Sequence, residues 1–156
     1  MMITPNFKIV LLEPEIPQNT GNIGRTCVGT ASELHLIEPF GFEISDKNLK
    51  RAGLDYWQYL KWYKYPNFNA WIETVENRER IFFFSTKATK SYFQVDFQQG
   101  DYLVFGRETK GLPEEIVLNY ANQLIKIPQY GPVRSLNVAT AAAIALYEGL
   151  RQINPK

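Results

Sequence analysis

The sequence predicts an α/β fold, a mostly parallel sheet with helices on both faces. Three observations carry that expectation. Short apolar runs bounded by turn residues recur along the chain, helix-like stretches with polar or proline start signals lie between and after them, and the two kinds alternate. Parallel strands need such crossovers, and helices laid on both faces make the strands apolar throughout. In chain order, residues 8–12 (KIVLL) read as a buried strand, and residues 18–31 as a helix entered after Pro17, with Asn19 or Thr20 available as its cap. Residues 34–38 read as the next strand, with His35 inside the apolar run. Residues 54–65, rich in Tyr and Trp, suit a strand or an aromatic surface hairpin equally. A helix at 68–75, strands at 80–85 and 102–105, a helix at 113–120, a strand at 124–127 and a helix at 135–152 complete the series.

The 156 residues, 45% hydrophobic and 21% charged, suffice for one domain spanning residues 1–156 around a real core and leave no room for a second. No repeat or linker interrupts the pattern. No apolar run approaches the roughly 20 residues of a spanning helix, and residues 1–10 lack a secretory signal, so a cytoplasmic protein with no membrane attachment is expected. Cys27 and His35 are the sole residues of their types. An internal disulfide is therefore impossible, Cys/His zinc sites are excluded, and no metal is expected. A Ser/His/Asp triad would have to use His35, whose apolar neighbours favour a half-buried strand residue instead.

Net charge is +1, but residues 47–90 hold 9 basic and 4 acidic side chains, so the middle third stands apart. A basic zone on a near-neutral protein suits contact with a few phosphates. Among its basic residues, Lys47, Lys50, Arg51, Lys61, Lys64, Lys87 and Lys90 are the candidate contacts. Tyr56, Trp57, Tyr59, Trp62 and Tyr63 could stack on unpaired bases, though most aromatics at such density pack inward. The last helix is apolar around nearly its whole circumference through Val138, Ala139, Ala141, Ala142, Ala143, Ile144, Ala145 and Leu146. One sheet covers one side of a helix, so a second subunit is the expected source of the remaining cover.

Three segments differ from ordinary connections, and each follows a predicted strand, where ligands collect in open α/β sheets. In EPEIPQNTGNIGR, two prolines stiffen the approach to a helix whose start attracts anions, with Arg25 a turn or so inside it. In FGRETKGLP, glycines bracket a charged loop and Pro113 fixes its exit. No Gly-Lys-Ser/Thr ending makes it a Walker loop, and the chain has no Gly-x-Gly-x-x-Gly dinucleotide fingerprint. In IPQYGPVRSLNV, Ser135 and Asn137 stand at the mouth of the apolar helix, where polar groups need partners, either the helix amides or a ligand.

These segments, PQNTGNIGR, GRETKGLP and IPQYGPVRSLNVATAAAIALYE, resemble in order the three motifs of the SPOUT RNA methyltransferases. The opening EPEIPQNTGNIGR, the LHLIEPFGF that follows it, and RAGLDY at 51–56 further resemble the small single-domain branch that methylates the ribose of tRNA wobble nucleotide 34. The resemblance implies a SPOUT fold with a C-terminal trefoil knot, a homodimer, S-adenosyl-methionine as methyl donor, and the tRNA anticodon loop, with cytidine or uridine at position 34, as substrate. By position it implies Phe84, Gly106, Glu108, Gly111, Ile127, Ser135 and Asn137 at the cofactor, and Asn19, Arg25 and Tyr147 at the reacting centre, Tyr147 at the dimer interface. Thr140 replaces an Asn frequent in wobble-position relatives, and Phe84 a usual Leu. Two alternatives accompany this reading: a SPOUT ribose methyltransferase acting on another tRNA or rRNA position, and a catalytically silent RNA-binding factor.

Methyl transfer to a 2′-hydroxyl requires alignment and stabilisation of a developing alkoxide, without a metal. Arg25 is expected nearest the ribose in an electrostatic role, because guanidinium rarely gives up its proton. Asn19 is expected to orient its loop, and Ser135 or Asn137 to donate hydrogen bonds to cofactor or ribose.

Overall fold

The structure, a computed structural model, describes residues 4–44 and 55–153. The sequence features at Lys47, Lys50, Arg51 and the first four residues of RAGLDY lie outside the described residues.

The described residues form a six-stranded, wholly parallel sheet. Its strands are β1 (Lys8–Leu12), β2 (Glu33–Ile37), β3 (Trp62–Tyr65), β4 (Ile81–Phe84), β5 (Tyr102–Phe105) and β6 (Leu124–Ile125), in the spatial order β3-β2-β1-β5-β4-β6. Four α-helices accompany it: α1 (Pro17–Gly29), α2 (Phe68–Ile72), α3 (Glu114–Asn119) and α4 (Val138–Ile153). The ambiguous aromatic stretch resolves into a 3-10 turn, Asp55–Tyr59, followed by the edge strand β3. A cis peptide joins Glu38 to Pro39.

Alternation along each strand sorts the core into two layers. Ile9, Leu11, Leu34, Leu36, Leu103 and Phe105 face one side, where Ile23 and Cys27 of α1 and Ala142, Ala145 and Leu146 of α4 cover them. Val10, Leu12, Ile37, Ile81, Phe83 and Val104 face the other, under Trp71 and Ile72 of α2 and Ile116 of α3. Each such fully buried side chain contributes on the order of 1.5–3 kcal/mol. His35 is buried more completely than expected, at 5% exposure, between the rings of Tyr63 and Tyr65.

Two expectations about helix starts are corrected. Neither Asn19 nor Thr20 caps α1, because the helix already begins at Pro17 and its cap residue, Ile16, has no capping side chain. The last helix starts at Val138 rather than 135, because Asn137 accepts hydrogen bonds from the Ala139 and Thr140 amides and so fixes the first turn.

The order of strands places a crevice. From β1 the chain turns through α1 to β2 on one side, whereas from β5 it turns through α3 to β6 at the opposite edge. Because β1 and β5 are neighbours, the loops leaving their carboxyl ends part from each other.

Candidate functional site

At that point the loop after β5 folds back as a tight hairpin. The Arg107 and Gly111 backbones exchange hydrogen bonds of 3.1 and 2.8 Å, and Gly111 takes φ +65°, which favours glycine. Gly106 is needed for a different reason: a β-carbon there would lie 2.3 Å from backbone atoms of Gly111 and Leu112. Glycines at both ends thus let the hairpin close on itself.

Glu108 projects from this hairpin to the loop after β1. Its carboxylate accepts hydrogen bonds from the Glu15 and Ile16 amides at 3.0 and 2.6 Å, supplying the anion that the uncapped start of α1 wants. Asn19 donates to Glu108 through Nδ2 at 3.4 Å, and its Oδ1 accepts from Asn137 Nδ2 at 3.0 Å. A single hydrogen-bonded chain, Glu108–Asn19–Asn137, therefore joins the three sequence segments that looked unusual on their own.

A pocket of about 520 Å³ opens beside this chain, at the carboxyl ends of β4, β5 and β6. Its apolar wall includes Phe84, Phe105, Leu112, Ile127, Val138 and Ala141, with the Phe84 and Phe105 rings stacked at 4.7 Å. The hairpin backbone and the Gln129 and Arg134–Asn137 segments supply polar groups. Five cations, Lys87, Arg107, Lys110, Lys126 and Arg134, stand around it, whereas Glu108 is the one carboxylate among the described lining residues. Five cations against one carboxylate leave the lining net positive. The site suits a mostly apolar, flat ligand with an anionic partner outside it.

All seven residues expected at a cofactor (Phe84, Gly106, Glu108, Gly111, Ile127, Ser135 and Asn137) line this pocket, and so does Asn19. Arg25 and Tyr147 do not. Arg25 lies on the exposed face of α1, its Cζ 5.6 Å from the centre of the Tyr56 ring, and the Tyr56 hydroxyl in turn donates to the Gly21 carbonyl. Tyr147 is 59% exposed on α4. Of the aromatic residues expected to meet a partner, Tyr56 is buried and Tyr59 and Tyr63 are exposed. Sequence reasoning overlooked Phe105, Arg107, Lys110, Lys126 and Arg134 as pocket residues, and saw Lys87 only as part of a basic zone. The usable signal was position, since all six lie at or within about ten residues past a strand's carboxyl end.

A parallel sheet whose switch-point loops build one apolar, cation-rimmed pocket defines the ligand-binding class of α/β proteins. The chain belongs to the SpoU rRNA Methylase family, whose model matches residues 6–147. A tRNA (cytidine(34)-2′-O)-methyltransferase of Saccharophagus degradans is 49% identical to it, over 94% of this chain and 96% of that one. A solved structure described as giving insight into 2-OH methylation of C/U34 on tRNA superposes with a TM-score of 0.88 at 46% identity, covering 94% and 95% of the two chains. The SpoU methyltransferase AviRb of Streptomyces viridochromogenes, solved with the cofactor AdoMet, reaches a TM-score of 0.80 at 25% identity, over 97% of this chain and 59% of that one.

Proposed function

We propose that this protein is an S-adenosyl-methionine-dependent tRNA methyltransferase, acting on the ribose 2′-hydroxyl of wobble nucleotide 34, cytidine or uridine. The observation that carries the reading is the Glu108–Asn19–Asn137 chain, which assembles three distant segments into one pocket. Full-length likeness to a cytidine-34 methyltransferase directs it to that nucleotide.

The pocket fits the cofactor. Phe84, Leu112 and Ile127 offer a wall to a flat adenine, and backbone groups of the hairpin and of residues 127–129 can read its polar edge. Lysine and arginine at the rim suit a carboxylate. Bound there, the cofactor supplies an electrophilic methyl group on a sulfonium centre. Among the described residues no group of three or more His, Cys, Asp or Glu side chains could hold a metal.

What remains for the protein is alignment, where effective molarities of about 10⁵ M or more are available, and stabilisation of negative charge on the ribose oxygen. Lys87, Lys110, Lys126 and Arg134 receive the phosphates that flank the target nucleotide. Asn19 and Asn137 hold the pocket's loops in register. Arg25 acts electrostatically on the phosphate or hydroxyl of the target.

Because Arg25 does not line the pocket of its own chain, the reading includes a homodimer that brings the arginine of one copy to the pocket of the other. The half-covered α4 supports this, with Ala139, Ala143 and Ile144 only partly buried and Tyr147 exposed beside them. The proposal further comprises a single domain over residues 1–156, a C-terminal trefoil knot and a cytoplasmic site of action. Among the described residues no helix is long and apolar enough to cross a membrane.

The test is to incubate the purified protein with labelled cofactor and total tRNA and to map the modified nucleotide. Label on the 2′-oxygen of nucleotide 34 is expected. Label elsewhere would move the assignment to another position, and none at all would favour the silent RNA-binding factor.

A further inference from the structure

We infer that Glu15 is a positioning residue, which closes the Arg107–Gly111 hairpin over the cofactor pocket by clasping Thr109. The inference rests on the cofactor reading of that pocket. Glu15 does not line the pocket, yet its Oε1 accepts two hydrogen bonds from the hairpin tip, from the Thr109 amide at 3.1 Å and the Thr109 hydroxyl at 2.8 Å. In the opposite direction Glu108 accepts from the Glu15 and Ile16 amides. Two carboxylates thus lock two loops 93 residues apart in sequence, each holding the other's backbone.

Thr109 is exposed, and among the described residues Glu15 is its one side-chain partner. Arg107 and Lys110 on either side of it add favourable charge, and the Glu15 carboxyl is held below the usual carboxylate range, chiefly by the Thr109 amide. A clasp works only if its own base is fixed. The loop after β2 provides that base: the Gly41 amide donates to the Pro14 carbonyl at 2.9 Å, and a β-carbon at Gly41 would lie 2.8 Å from the Glu15 carbonyl oxygen. Residues 13–15 and the segment EPFG at 38–41 therefore act on the pocket without lining it. Opening the clasp frees the hairpin tip and, with it, the lining from Gly106 to Leu112.

The test compares Glu15→Ala, Glu15→Gln and Thr109→Val. Hydrogen exchange at the amides of residues 107–111, read without ligand, should speed up about tenfold in Glu15→Ala, the scale of one charge-assisted hydrogen bond. The dissociation constant for S-adenosyl-homocysteine should rise by a similar factor, while KM for tRNA changes less than about twofold. Glu15→Gln should recover most of both losses, because its amide oxygen still accepts from Thr109. Thr109→Val, which keeps its amide and loses its hydroxyl, should fall between, and it decides the matter should Glu15→Ala fold poorly. Unchanged exchange in both Glu15→Ala and Thr109→Val, or a Gln variant as impaired as Ala, would overturn the clasp. If exchange rises as expected but the wild-type protein does not bind the nucleoside, the clasp stands and the methyltransferase reading falls.

Discussion

Asn137 shows how much one amide can settle. Its Oδ1 caps α4 by accepting from the Ala139 and Thr140 amides at 2.8 and 3.2 Å, and its Nδ2 donates to Asn19. The two roles are separable. Asn137→Ala removes both and should cost about 1–2 kcal/mol in urea unfolding, the range of a lost cap. Asn137→Asp keeps the capping oxygens but loses the donor and sets a negative charge against the Asn19 carbonyl and near Glu108. It should retain most of the stability and lose most of the affinity for S-adenosyl-homocysteine in calorimetry. Equal effects of the two variants on both measurements would show that the cap and the link are not distinct. On the opposite face of the sheet, His35 is held at both nitrogens, by Glu33 Oε1 at 3.1 Å and the Tyr65 hydroxyl at 2.9 Å. The His35 hydrogen bond is the main reason the Glu33 carboxyl sits below its ordinary value of 4.5. A carboxyl depressed in the folded state stabilises fully above its unfolded value and loses that contribution as the pH falls through the folded one. The stability advantage of wild type over Glu33→Gln should therefore shrink as the pH falls below about 4.5, measured by denaturant titration at several pH values.

Elements were legible wherever apolar pattern alone decides them. All five expected strands exist, each shifted by two residues at most, because a strand buried on both faces must be apolar throughout. The stretch that stayed ambiguous, now β3, is an edge strand with half-buried ends and two exposed residues, Tyr63 and Lys64, between them, so its composition carried no clear burial signal. The start of α1 was misread because the carboxylate that holds its entry, Glu108, lies 92 residues from the Ile16 amide it binds. No local rule can find such a partner. The hairpin glycines were recognised as permissive, but the steric need at Gly106 comes from its own loop crossing back. Packing of α4 was likewise visible only as composition. Gly149 faces Phe7, and a β-carbon there would come within 2.5 Å of that buried ring. Alanine normally gains up to about 1 kcal/mol over glycine inside a helix, whereas overpacking a tight core costs about 1–3 kcal/mol. Gly149→Ala should therefore destabilise the protein, and the same change at Gly29, where the added carbon meets nothing within 4 Å beyond its own stretch of helix, should not. Thermal unfolding of the two variants checks the contrast.

At the scale of the whole molecule, the single chain leaves two parts of the proposed site apart. The pocket, with its cations and hydrogen-bonded chain, lies at the carboxyl edge of β4, β5 and β6, whereas Arg25 stands outside its lining, over Tyr56. The helix next to α1 keeps an incompletely covered apolar face. A second copy docked through α4 would answer both facts, burying Tyr147 and presenting a foreign Arg25 to each pocket. Complementation tests that arrangement more sharply than molecular mass does, since a dimer could form with both halves of each site in one chain. Arg25→Ala spoils the arginine and leaves the pocket, while Asn137→Asp spoils the pocket and leaves the arginine. Each homodimer should be nearly inactive. When the two are co-expressed and exchange freely, half of the dimers are mixed, and each mixed dimer has one pocket and one arginine intact but on different chains. If the site is shared between chains, that combination works, and about a quarter of wild-type methyl transfer returns. If each chain completes its own site, no mixed dimer holds both good parts in one chain, and activity stays at the level of the parents.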